Sequence, residues 1–227
     1  MKIEKKITIA IDGPAGAGKS TVSKAVARTL GYTLVDTGAI YRSVALLAKR
    51  SGISWEDEAG LATLVGGLSV SFSFEGDANL ISVNGEDLSA SIRVPAISQG
   101  ASMVSQHPQV RAGLLALQRT LAGEGGAVLE GRDIGTVVFP EAPVKVFLDA
   151  SAEVRATRRT KELQANGSPS NYDKILQEIQ DRDHRDRTRS VAPLVPAKDA
   201  IEIDCSTMSA AEVIEQILGI VNQVVSS

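Results

Sequence analysis

The sequence predicts a three-layer α/β fold, a five-stranded parallel sheet flanked by helices, with a small antiparallel insert and a helical lid. Three observations carry that expectation. Short β-branched runs alternate with stretches of helical period along most of the 227 residues. The first such run breaks into a glycine-rich turn that opens into a helix. Around residues 68–92 the apolar period drops to two, the signature of a half-buried antiparallel ribbon.

Ile7–Ile11, β-branched except at Ala10, ends in Asp12-Gly13-Pro14 and has the profile of a strand buried on both faces. Val22, Ala25, Val26 and Leu30 then fall at helical spacing over Gly18–Leu30, and Gly31 stops the helix. Tyr32–Val35 reads as a second strand, Ala39–Lys49 as a helix closed by Gly52, and Glu56–Leu64 as another helix. In the insert, Val70, Phe72 and Phe74 alternate with serines and the alternation continues from Leu80 to Asn84. A glycine turn lies within Glu75–Asn79, and Asn84-Gly85 is a strong hairpin signal. Helical pattern resumes at Val94–Gln106, with Pro95 suited to a first turn, and at Pro108–Leu121. Strands are expected at Ala127–Glu130 and Val144–Leu148, helices at Ala152–Gln164 and Tyr172–Arg189, a strand at Ala200–Asp204 and a last helix at Ala210–Val225. Strands separated by helices make right-handed βαβ units. The expected division is a core at residues 1–66 and 94–227, with its lid at about 155–189, and an insert at 67–93.

Composition narrows the function classes. A hydrophobic share of 43% supports a packed core and excludes wholesale disorder or a fibrous repeat. The 24 basic and 27 acidic groups leave a net charge of −3, against the strongly basic balance of a nucleic-acid binder. The one cysteine, Cys205, allows no internal disulfide and fits a reducing compartment. No apolar run approaches the roughly 20 residues of a membrane helix, and the apolar stretch after the charged segment Met1–Lys6 is too short for a secretory leader. These features lead to the expectation of a cytoplasmic monomer that acts on small molecules, without a membrane or nucleic acid.

Gly13-Pro14-Ala15-Gly16-Ala17-Gly18-Lys19-Ser20 matches G-x-x-x-x-G-K-[ST] at every fixed position, after a buried strand and at the start of a helix. This is the context of a P-loop three-layer fold. Glycines let the backbone turn its N–H groups inward, so a polyphosphate meets a ring of donors and the positive helix end. Lys19 would bridge the terminal phosphates, and the Ser20 hydroxyl, with Thr21 beside it, would ligate Mg²⁺. The bland alternative, a glycine turn without a ligand, does not account for the flanking strand and helix. The motif points to a purine nucleoside triphosphate with magnesium and leaves the reaction open.

Two further segments leave strand ends, where open α/β sheets bind ligands. Asp36-Thr37-Gly38-Ala39-Ile40-Tyr41-Arg42 can be read as a helix start capped by Thr37 with a solvated arginine. It can equally be read as an anion site, since a first-turn cation opposes the helix dipole and Tyr41 offers a hydroxyl beside Arg42. Glu130-Gly131-Arg132-Asp133-Ile134-Gly135 is either a surface turn or a second such site, with Glu130 placed to support Mg²⁺ through water. Arg42 and Arg132 leaving two strand ends suggest a second phosphate group, that of an acceptor.

Seven of the 14 arginines fall between Arg155 and Arg189. Arg155, Arg158 and Arg159 share a helix face, and Asp181/Arg185, Arg182/Asp186 and Asp183/Arg187 stand at i,i+4 spacing. A salt-bridged solvated helix would account for them. So would a lid over the triphosphate, because a cis arginine stabilises phosphoryl transfer, and Arg155, Arg158, Arg159, Arg185 and Arg187 stay divided between the two roles.

Taken together, Ile11-Asp12-Gly13-Pro14, Asp36 through Arg42, Gly131-Arg132-Asp133-Ile134-Gly135-Thr136-Val137-Val138-Phe139-Pro140, and Arg182-Asp183 through Arg185-Asp186-Arg187 with Arg189 before Val191-Ala192-Pro193-Leu194 resemble the bacterial cytidylate kinases over almost all of the chain. The resemblance implies transfer of the γ-phosphoryl of MgATP to CMP or dCMP, with an antiparallel insert on the monophosphate side. It implies that Thr37, Tyr41, Arg42, Arg132 and Arg189 surround the acceptor phosphate. Ser102, Arg111 and Asp133 would read the cytosine edge, and Arg182 with Asp186 would hold the sugar hydroxyls. Lys19, Arg42, Arg132 and Arg189 would then be the catalytic cations. Thr37 stands where the family often has serine and keeps the hydroxyl. His184, within the arginine motif, receives no role.

Two other classes remain open on the sequence. A nucleotide switch of the GTPase kind should carry an N-K-x-D motif, and the nearest stretch is Ala197-Lys198-Asp199-Ala200. A related small-molecule kinase, for shikimate or adenylate, is disfavoured by the insert and Asp133. Cys205 and Trp55 read as packing residues, Trp55 at a helix start, and His107 as a local cap before Pro108.

Overall fold

The computed structural model describes residues 6–165 and 167–226, so most of the charged leading segment, Met1–Lys5, lies outside the described residues. Strands β1 (Thr8–Asp12), β2 (Thr33–Asp36), β6 (Ala127–Gly131), β7 (Val144–Asp149) and β8 (Ile201–Asp204) form one five-stranded sheet in the order β2-β6-β1-β7-β8. Strands β6 and β7 are buried along nearly all their length and mainly apolar, as expected of a sheet covered on both faces.

The chain divides into two compact units, and each is built around its own part of this frame. In the first, Ala27–Gly131 with the chain up to Thr8, β2 pairs in parallel with β6, Asp36 beside Glu130. Helices α2 (Thr37–Arg50), α3 (Glu58–Gly66), α4 (Pro95–Val104) and α5 (Pro108–Ala122) pack with them around Ile40, Val44, Leu61, Val104 and Leu114. The same unit carries a three-stranded antiparallel sheet, β3 (Val70–Glu75), β4 (Ala78–Val83) and β5 (Glu86–Asp87). Val70 faces Val83 and Phe72 faces Ile81. Asn84 and Gly85 turn β4 into β5 with φ of 51° and 84°, the pair of positive values a tight two-residue hairpin requires. Arg28 lies over the Phe74 ring at 5.1 Å and pairs with Asp77 in the hairpin turn.

In the second unit, Ile9–Val26 with the chain from Arg132 onward, β1 pairs in parallel with β7 and β7 with β8. Helix α1 begins here at Lys19 and runs to Leu30; α6 (Ala152–Ala165), α7 (Tyr172–Thr188) and α8 (Ala210–Ser226) complete the elements. Ile9, Ile11, Val146, Leu148, Ile217 and Val221 fill the core. A single π-helical turn, Ile134–Val138, follows the Arg132-Asp133 pair, and a 3-10 turn at Ser91–Arg93 precedes α4 in the first unit; neither was foreseen. The expected strands and helices are found within one or two residues of their predicted bounds.

Two local expectations are corrected. The N-cap of α2 is Asp36 and not Thr37: its carboxylate accepts from the Ala39 N–H at 2.9 Å, while the Thr37 hydroxyl donates to the Glu130 carbonyl at 2.7 Å. A carboxylate accepts more strongly than a hydroxyl at a helix start, and Thr37 is then used to lock α2 to β6. His107 precedes α5 without capping it through its side chain; its Nε2 lies 2.8 Å from the Trp55 carbonyl oxygen. Trp55 itself joins two other helices, donating Nε1–H to Ala45 of α2 and pressing its ring on Gly100 of α4, where a Cβ would come within 2.5 Å of Cε2. Cys205 is packed as expected, buried after β8.

Candidate active site

The phosphate loop is built by constraints that act before any ligand. Gly13 leaves β1 at φ 145°, and a Cβ there would lie 2.0 Å from the Leu148 carbonyl oxygen of β7. Gly16 and Gly18 take φ of 79° and 94°. These left-handed values turn successive N–H groups to one side, forming an anion-binding concavity. At its mouth the Lys19 ammonium donates to the carbonyls of Gly13 and Pro14 at 2.7 and 2.6 Å. Ser20 and Thr21 follow in the first turn of α1. The loop is supported from below by Arg155 of α6, 3% exposed, which donates to the carbonyls of Ala15 at 3.0 Å and Ala150 at 2.8 Å and forks onto Asp183 of α7 at 3.1 and 2.5 Å. Arg155 is therefore a strut of the phosphate loop.

Other expected lid charges also find fixed partners. Arg158 donates to the Cys205 carbonyl at 2.6 Å, Arg187 lies 3.5 Å from Asp149, and Arg159 pairs with Glu162 on the surface. On α7 the anticipated i,i+4 pattern is partly replaced. Asp183 turns to Arg155, and Asp181 accepts from Gln177. Asp186, 5% exposed, becomes the centre of a cationic cluster, with Arg132 Nε donating to it at 3.1 Å. Burial alone would raise its carboxyl, but Arg132, Arg182 and Arg189 together hold it below the ordinary carboxylate range. Arg189, the C-cap of α7, donates to the Ala192 carbonyl at 2.6 Å and lies 3.5 Å from Asp133. Three guanidinium groups and two carboxylates thus meet in one place in the second unit.

In the first unit, Arg42 donates to Asp36 at 2.9 Å, so the anion that offsets this first-turn cation comes from the chain's own N-cap. Its Nε is buried without a hydrogen-bond partner. Tyr41 is nearly buried and lies under the guanidinium of Arg111, 5.7 Å from ring centroid to carbon, while Arg111 donates to the Ser105 carbonyl at 3.2 Å. Ser102 of α4 is 4% exposed and its hydroxyl makes no hydrogen bond. Glu130, 3% exposed, is the last residue but one of β6. Sequence reasoning missed Asp36 and Asp12 as site-building residues. The signal for each was an acid at the last position of an apolar strand.

The model of the cytidylate kinase family matches residues 9–223. A cytidylate kinase from Pasteurella multocida is 49% identical over 222 residues, covering 97% of each chain. The chain belongs to the cytidylate kinase family. A second cytidylate kinase, from Mannheimia succiniciproducens, is 50% identical over 219 residues, 96% of this chain and 97% of that one. Among solved structures, a gluconokinase from Sinorhizobium meliloti shares the fold, with a TM-score of 0.50 at 17% identity over 97% of this chain and 94% of its own.

For a cytidylate kinase family member the donors present fit ATP and a magnesium ion. The phosphate loop turns through Gly16 and Gly18 at positive φ, which leaves a concavity of backbone N–H groups of the kind a polyphosphate takes. Magnesium takes few protein oxygens and completes its shell with water and phosphate. Among the described residues no three His, Cys, Asp or Glu side chains gather as a metal cage. A hydroxyl at Ser20 and a carboxylate at Glu130 are the kind of ligands such a nucleotide-bound ion uses. No helix among the described residues is long and apolar enough to cross a membrane.

Proposed function

We propose that this chain is an ATP-dependent nucleoside-monophosphate kinase that moves the γ-phosphoryl of ATP to the phosphate of CMP or dCMP, giving ADP and CDP or dCDP. The observation that carries the reading is the gathering of Arg132, Arg182 and Arg189 around Asp186, in the same compact unit as the phosphate loop, in a chain of this family. One anion site is made of loop amides and Lys19. The arginine cluster has charge for another.

The backbone N–H groups of Gly13 to Gly18, Pro14 having none, hold the β- and γ-phosphates, and Lys19 turns its ammonium from carbonyls to phosphate oxygens. Ser20, with Thr21 beside it, and Glu130 would hold Mg²⁺, which would supply positive charge to neutralise the phosphates. Arg42, Arg132 and Arg189 with Thr37 and Tyr41 hold the acceptor phosphate. An oxygen of that phosphate is already ionised, so it attacks without a general base; its bond to the γ-phosphorus forms as the bond to the ADP oxygen breaks. Alignment and preorganised positive charge supply the rate. Asp133 accepts from the cytosine exocyclic amine, where uracil presents a carbonyl. Ser102 and Arg111 complete the base contacts, with the buried, unbonded Ser102 hydroxyl as a ready donor or acceptor. Arg182 and Asp186 hold the sugar hydroxyls.

The test is a coupled assay of ADP release from MgATP with CMP, dCMP, UMP and AMP in parallel. CMP and dCMP should stimulate release at least about tenfold more than the others, and chelation of the metal should abolish it. Equal stimulation by all four would overturn the cytosine assignment.

A further inference from the structure

Asp12 has no part in the chemistry set out above, yet it is a buried carboxylate, 5% exposed, at the last position of β1 and next to Gly13. Both of its oxygens are used. Oδ1 accepts from the Ile134 N–H and Oδ2 from the Gly135 N–H, each at 2.8 Å. Those are the first two amides after Arg132 and Asp133. We propose that Asp12 is a positioning residue: it ties the strand that launches the phosphate loop to the segment that presents Arg132 and Asp133, keeping the two in register during transfer.

Several features make the carboxylate specific to this task. An ionised carboxylate can accept two N–H groups at once, and such bonds are about twice as strong as neutral ones. An amide of the same shape has one acceptor and would set an N–H₂ against the other backbone N–H. The far side of the segment is also fixed. The stem of Lys145 packs against Gly135, where a Cβ would lie 3.2 Å from Cδ, and its ammonium donates to the Pro140 carbonyl and, at 2.6 Å, to Asp199. Asp12 supplies the matching hold on the side of the loop. The charged groups that act on it are Asp133, which repels, and Lys19, which attracts. Burial, aided by Asp133, pushes its carboxyl up to about 6 against the pull of the two amides and Lys19. The hold therefore weakens on the acid side of neutrality.

The inference rests on the acceptor role proposed for Arg132, so Asp12→Asn and Arg132→Ala are measured together in the ADP-release assay with CMP. Asp12→Asn should keep the KM for ATP within about threefold, while kcat/KM for CMP falls at least about tenfold and its acid limb near pH 6 disappears. Arg132→Ala should also lose CMP kinetics but keep the acid limb. If Arg132→Ala leaves the CMP kinetics unchanged, the acceptor reading itself fails. If Arg132→Ala loses them and Asp12→Asn does not, or loses ATP and CMP binding equally, the role of Asp12 is overturned. Should Asp12→Asn not fold, hydrogen exchange in the unaltered chain decides. Protection of the Ile134 and Gly135 amides should fall in step with kcat/KM below pH 6, and amides that stay protected while activity is lost would refute the inference.

Discussion

Gly13 leaves almost no room for any other residue. Its Cβ would stand 2.0 Å from a backbone oxygen of β7, in a conformation of φ 145° that L-residues rarely adopt. Gly13→Ala should therefore cost about 3 kcal/mol of stability or more and abolish ATP binding, as read by thermal unfolding with and without MgATP. Survival of nucleotide binding would show that the loop can relax, contrary to its packing on Leu148. Asp133 is constrained in a different way. It lies against Arg189 and is 6% exposed, so its charge is already partly committed. Asp133→Asn keeps the shape and can present an N–H₂ to uracil's carbonyl. The ratio of kcat/KM for CMP over UMP should fall by about tenfold, roughly the 1.4 kcal/mol worth of one polar contact; an unaltered ratio would remove Asp133 from base reading. The position of both residues was legible in the sequence, because a glycine motif and a charged strand end are local signals. What held Arg42 was not. The helix dipole argued for an outside anion, and the chain supplied Asp36 from the same turn.

Helices α6 and α7 show where reading by period stops. Spacing correctly put Arg155, Arg158 and Arg159 on one face and supplied Asp183 with an i,i+4 arginine, but a helix face does not reveal which neighbour packs against it. Asp183 bonds Arg155 on α6 instead, where the guanidinium is also satisfied by the Ala15 and Ala150 carbonyls; removing either partner of the buried pair would leave a bare charge. Asp183→Ala should lower stability by about 3 kcal/mol, near 6–12 °C in Tm for a chain of this size, and weaken ATP binding through Ala15. Arg159→Ala, which removes an exposed pair, should shift stability by no more than about 0.5 kcal/mol. Equal effects of the two in thermal melts would deny Arg155 its place under the loop. The hairpins were readable for the opposite reason. Asn84-Gly85 decides its own conformation from two residues, whereas the π-helical turn at Ile134–Val138 is held by Asp12, far away in sequence, and has no local signature.

Strand and helix order was carried by repeated patterns, and family membership by clustered motifs, so both were accessible from residues alone. The electrostatic balance was not, since it depends on which charges become buried together. That balance makes a prediction for the acid side. Asp186 is held low by its arginines, so the stability it contributes is present above the ordinary carboxylate range and is lost only as pH falls through its depressed value. Asp12 has the opposite sign. Its carboxyl stands at about 6 in the fold against 3.8 unfolded, so between those values the folded chain binds more protons and acid favours it. From pH 7 to pH 5 this contributes roughly 1 kcal/mol of added stability, or about 2–4 °C in Tm. Over the same interval the carboxylate loses one of its two backbone bonds and kcat/KM for CMP should drop. Thermal melts of the unaltered chain and of Asp12→Asn across this range should therefore diverge, with the unaltered chain gaining those few degrees relative to the variant as its activity declines. Parallel melting curves would mean that Asp12 titrates with the unfolded chain and that the acid loss of activity begins elsewhere.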